Sequence, residues 1–119
     1  MIALYVFVAG GLGVLTRYGI SSTVHGDALP WVTVGINVVG SFLLGMLLVV
    51  SGDWLSDQTR TALGVGFLGG FTTFSTFSVQ AWTDIEGGEP IRALAYVAVS
   101  VLLGLGAAAA GYYLARSIN

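Results

Sequence analysis

Polar and apolar positions along this chain fall into four long apolar blocks separated by short polar segments. Residues 28–52, 61–83 and 93–115 each contain no charged side chain, and the first block is charge-free from Met1 to Thr16, then continues past Arg17 to Val24. A helix that crosses a bilayer needs about 20 predominantly apolar residues. The pattern therefore predicts an all-α bundle of four spanning helices, at about 2–24, 28–51, 61–83 and 91–115, in one integral membrane domain over 1–119. The segments HGDALP, SGDWLSDQTR and TDIEGGEPIR precede the second, third and fourth blocks. Pro30 and Pro90 stand where helices begin, a place where a missing N–H costs nothing. Asp27 and Glu89 lie beside them, where negative charge suits a helix N-terminus. These acids read as caps and solvated turns, not as catalysts.

Within the blocks, small residues recur four apart: Ser41 with Gly45, Gly66 with Gly70, Ser100 with Gly104, and Ala107 with Gly111. Such pairs let helices approach closely in lipid, where no hydrophobic drive assembles them, so a tight bundle that associates with another copy is expected. The stretch GGFTTFSTFS, residues 69–78, departs from the oily background. Two glycines followed by β-branched threonines make a poor helix, which predicts a broken third helix in mid-membrane. Irregular backbone is tolerated there only where it is buried in protein or lines a cavity, and freed carbonyls can then hold a small cation. Phe74 and Phe77 are three apart, hence neighbours on one face. Aromatic rings are positive at their edges, so a pair of edges can face an anion without carrying a full charge.

Neutral donors accompany the rings. Asn37 stands in the second block with Thr33 and Ser41; Thr72, Thr73, Ser75, Thr76, Ser78 and Gln80 stand in the third. In the fourth, Tyr96 and Ser100 are four apart on one helical face. One or two such residues would be interhelical glue. Their concentration in the third block, echoed in its neighbours, reads as the lining of a polar path.

Composition narrows the function. The chain is 55% hydrophobic and only 8% charged, against roughly 25% charged in ordinary soluble domains, and a soluble domain this small could not hide so much apolar surface. The first block lacks the positive n-region of a signal peptide. There is no cysteine and one histidine, His25, in a loop. That excludes thiol, zinc and iron–sulfur chemistry and leaves no nucleophile triad, so no enzyme is expected. Gly64, Gly66 and Gly69 match G-x-G-x-x-G, with Glu89 twenty residues on. The motif needs a soluble βαβ unit; inside an apolar span it reads as helix packing. No acid falls within any charge-free block, whereas proton-coupled transporters use intramembrane carboxylates as relays. A passive pathway follows. The alternatives are an ion-coupled small-anion exporter, for which only Arg17 is a candidate group, and a purely structural subunit.

The net charge is −2 and all four basic residues are arginines, so no nucleic-acid partner is expected. Four spans place Arg60 and Arg116 on the side of both termini, with Arg17 and Arg92 on the other. Orientation follows the asymmetry of positive loops, and an even count gives none. The chain is therefore expected to insert both ways, with opposite copies pairing as an antiparallel, dual-topology dimer.

At these residues the sequence strongly resembles the Fluc (CrcB-type) fluoride channels, over nearly the whole chain. GGLGVLTRY (10–18) looks like that family's first-span motif, TVGINVVGSFLLG (33–45) resembles its second-span motif around an asparagine, and GFLGGFTTFSTFS (66–78) is similar to its most distinctive signature. The resemblance implies a passive channel in the cell membrane that exports cytoplasmic fluoride, with two pores per antiparallel homodimer, or with a paralogue completing a heterodimer. Phe74 and Phe77 would form the aromatic path, with Asn37 as anion donor. Ser75, Thr76, Tyr96 and Ser100 would be polar lining and Arg17 a vestibule cation. Main-chain carbonyls of Gly69 and Thr72 from both subunits would hold a structural sodium ion at the dimer centre, all within membrane lipid. Two positions depart from the pattern: Gln80 stands where a glutamate is common, and Gly104 where the polar track often carries another hydroxyl.

Overall fold

A computed structural model of the chain describes residues 1–50 and 52–118. Helix α1 runs Ile2–Ser21 and α2 runs Leu29–Val49, joined by a 3-10 turn at Gly26–Ala28. The third span is composite: α3 (Asp57–Thr61), a π-helical stretch (Ala62–Leu68), α4 (Gly69–Phe71) and, after an interruption, α5 (Phe74–Glu86). Helix α6 (Pro90–Ile118) closes the bundle. Four stretches are long and apolar enough to cross a membrane: Ile2–Ser22, Gly26–Val49, Asp57–Glu86 and Pro90–Ile118. This is a multi-pass membrane protein, and the described residues contain no strand. The spacing anticipated all four spans; α1 stops at Ser21 instead of reaching residue 24, while α3 and α6 extend into the polar segments. The expected end of the second span at Ser51 lies outside the described residues, as does Asn119.

The ends follow local chemistry. Pro30 sits in the first turn of α2, where its absent N–H would have had no partner. Ser56 caps α3 by accepting the Thr59 N–H at 3.1 Å. Arg60 reaches back to donate to the Leu47 and Val50 carbonyls, closing the C-terminal end of α2. Between α5 and α6 the chain turns at Gly88, whose φ of 83° favours glycine.

The bundle has two halves. Helix α2 lies along α6, and small residues set the distance: a Cβ on Gly111 would overlap the Phe42 carbonyl, and one on Gly45 the Ala108 carbonyl. Helix α1 packs on the π-helical stretch and α4 in the same way, with Gly13 against the Phe67 carbonyl and Gly70 against that of Gly10. Three of the four expected small-residue pairs thus supply packing glycines. The fourth, Ser100 with Gly104, lines a groove instead. The G-x-G-x-x-G segment is helical, and its Gly66 packs on Val6 and Ala9 of α1.

Helix α5 rests on α6 over a cluster of Val34, Ala81 and Tyr96, extended by Val38, Phe77, Val97 and Val99. Exposed Trp31 and Trp82 mark one end of the bundle, Trp54 and Tyr113 the other, where amphipathic rings suit the membrane–water interfaces. The molecule measures 51 × 31 × 20 Å. Its thin dimension is about two helix diameters, so many apolar side chains face outward.

Candidate functional site

The interruption in the third span begins at Thr72 (φ −84°, ψ 156°) and ends at Thr73 (φ −149°, ψ 120°). Gly69 and Gly70, expected to weaken the helix, remain helical; the β-branched threonines carry the break. Side chains hold it open. The Asn37 Oδ1 accepts the Thr73 N–H at 2.9 Å, and the Asn37 Nδ2 donates to the Thr73 carbonyl at 3.0 Å. Thr73 then caps α5, its Oγ1 accepting the Thr76 N–H at 3.2 Å.

These captures free particular carbonyls. In an unbroken helix the Thr73 N–H would bond to Gly69 and the Thr76 N–H to Thr72. Both N–H groups are taken elsewhere, which leaves the Gly69 and Thr72 carbonyls without those intrahelical partners. The Gly70 carbonyl receives the Arg17 Nε at 3.2 Å. Arg17 is thus held inside the bundle, half-buried, not free in a loop.

Beside the break lies an open groove of about 320 Å³. Asn37 and Ser41 line it from α2, Gly69, Thr72 and Thr73 from the break, Phe74 and Phe77 from α5, and Ser100 and Gly104 from α6. Phe74 and Phe77 stand with ring centroids 5.7 Å apart, and Phe77 is 5.1 Å from Tyr96. Phe74 is 78% exposed: it projects away from its own chain. Tyr96 is fully buried, and its hydroxyl donates to the Gln80 Oε1 at 2.7 Å. The Gln80 amide N–H groups stay available as donors, because the carbonyl end takes the bond. The Ser100 Oγ is buried with no hydrogen-bond partner.

The structure thus brings Asn37, Phe74, Phe77 and Ser100 together around one groove, with Tyr96 behind Phe77. Ser75 and Thr76 stand apart from the groove lining, in the first turn of α5, within the hydroxyl cluster around Thr73. Sequence reasoning set Ser41 both in a packing pair with Gly45 and among the second-span donors, and the structure places it in the groove lining, one helical turn after Asn37. That reasoning missed the π-helical stretch, for which the pattern offers only a run rich in glycine. No group of three or more potential metal-ligating side chains occurs among the described residues.

The family described as CrcB-like protein, Camphor Resistance (CrcB), matches residues 4–112. The chain belongs to the CrcB family. Among curated relatives, a protein named fluoride-specific ion channel FluC from Hahella chejuensis is 44% identical, with 96% of this chain and 94% of that protein covered. One of the same name from Thermus thermophilus is 43% identical, covering 97% and 95%. Another from Erythrobacter litoralis is 38% identical, covering 95% and 90%. Each of these matches extends over nearly the whole chain.

Proposed function

We propose that this protein is a passive, fluoride-selective channel that exports cytoplasmic fluoride, not an enzyme and not a coupled exporter. The observation that carries this reading is the groove itself. It gathers an amide, hydroxyls and two phenylalanine rings, and no acid stands among its lining residues. A small anion loses its water on entering, and hydrogen-bond donors must replace that shell. The second N–H of the Asn37 amide is left over from its bond to Thr73 and suits this task. Ring edges of Phe74 and Phe77 add positive potential without a countercharge that would hold the ion too tightly. The ion-coupled alternative lacks a carboxylate relay, since no acid stands among the groove-lining residues.

The driving force needs no pump. An inside-negative potential of 100 mV is worth about 2.3 kcal/mol per charge, which at about 1.36 kcal/mol per tenfold sustains roughly fiftyfold lower internal fluoride. Leakage of more abundant anions would collapse the potential, so selectivity is the demand on the groove.

The exposed Phe74 ring and the open groove support an antiparallel homodimer in which a second copy completes each of two pores. The freed carbonyls of Gly69 and Thr72 fit a structural sodium ion between the subunits. They are oxygen donors released by specific side-chain captures, and a bound ion would offset their partial negative charge.

Phe77→Ala tests the pathway. Fluoride efflux from liposomes is expected to fall at least tenfold while the protein keeps the wild-type elution position. Undiminished flux would count against the aromatic path. Flux that follows an imposed proton gradient, with the membrane potential clamped, would restore the coupled alternative.

A further inference from the structure

The two halves of the bundle meet along a seam where α2 faces the third span. The third span touches α2 at Gly40, where an added Cβ would strike the Thr72 side chain, and at Leu47, whose side chain covers Gly64. The polar groove follows one side of this seam, using Asn37, Gly40, Ser41 and Leu44 of α2. A separate crevice of about 340 Å³ opens along the other side. Leu43, Met46, Leu47 and Val50 line it from α2, and Leu63 and Phe67 from the π-helical stretch. Buried Leu68 is the wall that crevice and groove share. At 3.6 residues per turn the two rows on α2 point about 120° apart. A second copy seated on the groove would therefore meet a different face of the slab.

The crevice has an apolar body and a charged head. Every lining residue is apolar. From Leu43 to Val50 it runs about 10 Å along α2 at 1.5 Å per residue, about a third of the hydrocarbon core. At its outer end the Arg60 guanidinium donates to the carbonyls of Leu47 and Val50, both lining residues. Those bonds leave other N–H donors of the guanidinium free. Among the described residues no carboxylate pairs with Arg60, whereas Arg92 has two such partners. The C-terminus of α2 offsets only about half a charge. Exposed Trp54 lies at the same end, at the level where headgroups meet water. An apolar slot headed by an uncompensated cation at this depth matches a molecule with a hydrocarbon tail and an anionic head.

We propose that the crevice between α2 and the π-helical stretch binds one glycerophospholipid, with its phosphate on Arg60 and an acyl chain between Leu43 and Phe67. The lipid joins the two halves where leucine side chains alone close the seam, and it neutralises the cation that holds the end of α2. The site stands whether or not the chain conducts fluoride.

Native mass spectrometry of the purified, delipidated protein tests it, with phosphatidylglycerol added, or diacylglycerol as the same chains without a phosphate. Leu43→Trp fills the slot from an exposed position. Arg60→Gln removes the head contact, and Arg116→Gln removes a cation at the same end that does not line the crevice. Wild type and Arg116→Gln should each retain one phosphatidylglycerol per chain. Hydrogen bonds to a charged group set the expected loss at about tenfold or more for Arg60→Gln, and for diacylglycerol on the wild type. Leu43→Trp should lose phosphatidylglycerol to a similar extent while keeping the wild-type elution position. Because Arg60 also closes α2, Leu43→Trp decides the matter if Arg60→Gln does not fold. A wild type that retains no lipid, or Leu43→Trp that retains as much as wild type, would overturn the site. Equal losses in Arg116→Gln and Arg60→Gln would reduce it to general attraction between charges. Equal retention of diacylglycerol would remove the phosphate contact. A shift of Leu43→Trp to the monomer position would give the crevice to a second copy instead.

Discussion

Asn37 carries two duties that pull on one amide. Its carbonyl oxygen and one N–H hold the Thr73 backbone, and the other N–H is the one the proposed path would use. Asn37→Ala removes both backbone bonds and leaves buried groups unpaired, each costing about 1–3 kcal/mol. We expect a clear drop in the detergent melting temperature together with loss of flux. Asn37→Asp separates the duties. A carboxylate still accepts the Thr73 N–H but cannot donate, so flux should vanish while much of the melting temperature survives. Equal thermal loss in both variants would show that the bridge needs the donor as much as the acceptor. Arg17 also satisfies a carbonyl, that of Gly70. Its charge was legible in the sequence as a cation near the path, but its partner was not, because 53 positions separate the two residues.

At the scale of elements, the four spans were legible because charge is excluded from lipid so strictly that its absence delimits each helix. The break was legible too, though its cause was assigned partly to the wrong residues. Gly69 and Gly70 lower helix propensity, yet both stay helical, and the missing side chain of Gly70 admits α1 at Gly10. The threonines leave the helix because Asn37 and the Thr73 hydroxyl offer their N–H groups other partners. Such tertiary competition leaves no periodic trace. The π-helical stretch was hidden for the same reason, since its widened turns present backbone to α1. Close approach there gives a prediction: Gly13→Ala would drive a methyl group into the Phe67 carbonyl. Overpacking of this kind costs about 1–3 kcal/mol, and thermal melting should show it. An unchanged melt would mean that α1 can slide on the third span.

The whole molecule is a slab whose polar groove opens on one side, and its architecture makes sense as half of an assembly. With Arg17 engaged inside the bundle, Arg60 and Arg116 face Arg92, and Arg60 itself is tied to the end of α2. Arg92 lies between Asp27 at 3.4 Å and Asp84 at 3.6 Å, so its charge is locally offset. Neither end presents a strong positive excess, which keeps insertion in both orientations open. A Ser56→Cys variant should accordingly be labelled by an impermeant thiol reagent from both faces of the membrane. Labelling from one face only would remove the antiparallel pairing. The most direct test of the channel itself is fluoride efflux from liposomes containing this chain alone, started with valinomycin and paired with a chloride control. Rapid fluoride loss with chloride retained is the predicted result. Fluoride retained behind folded protein, or chloride released as fast as fluoride, would contradict it.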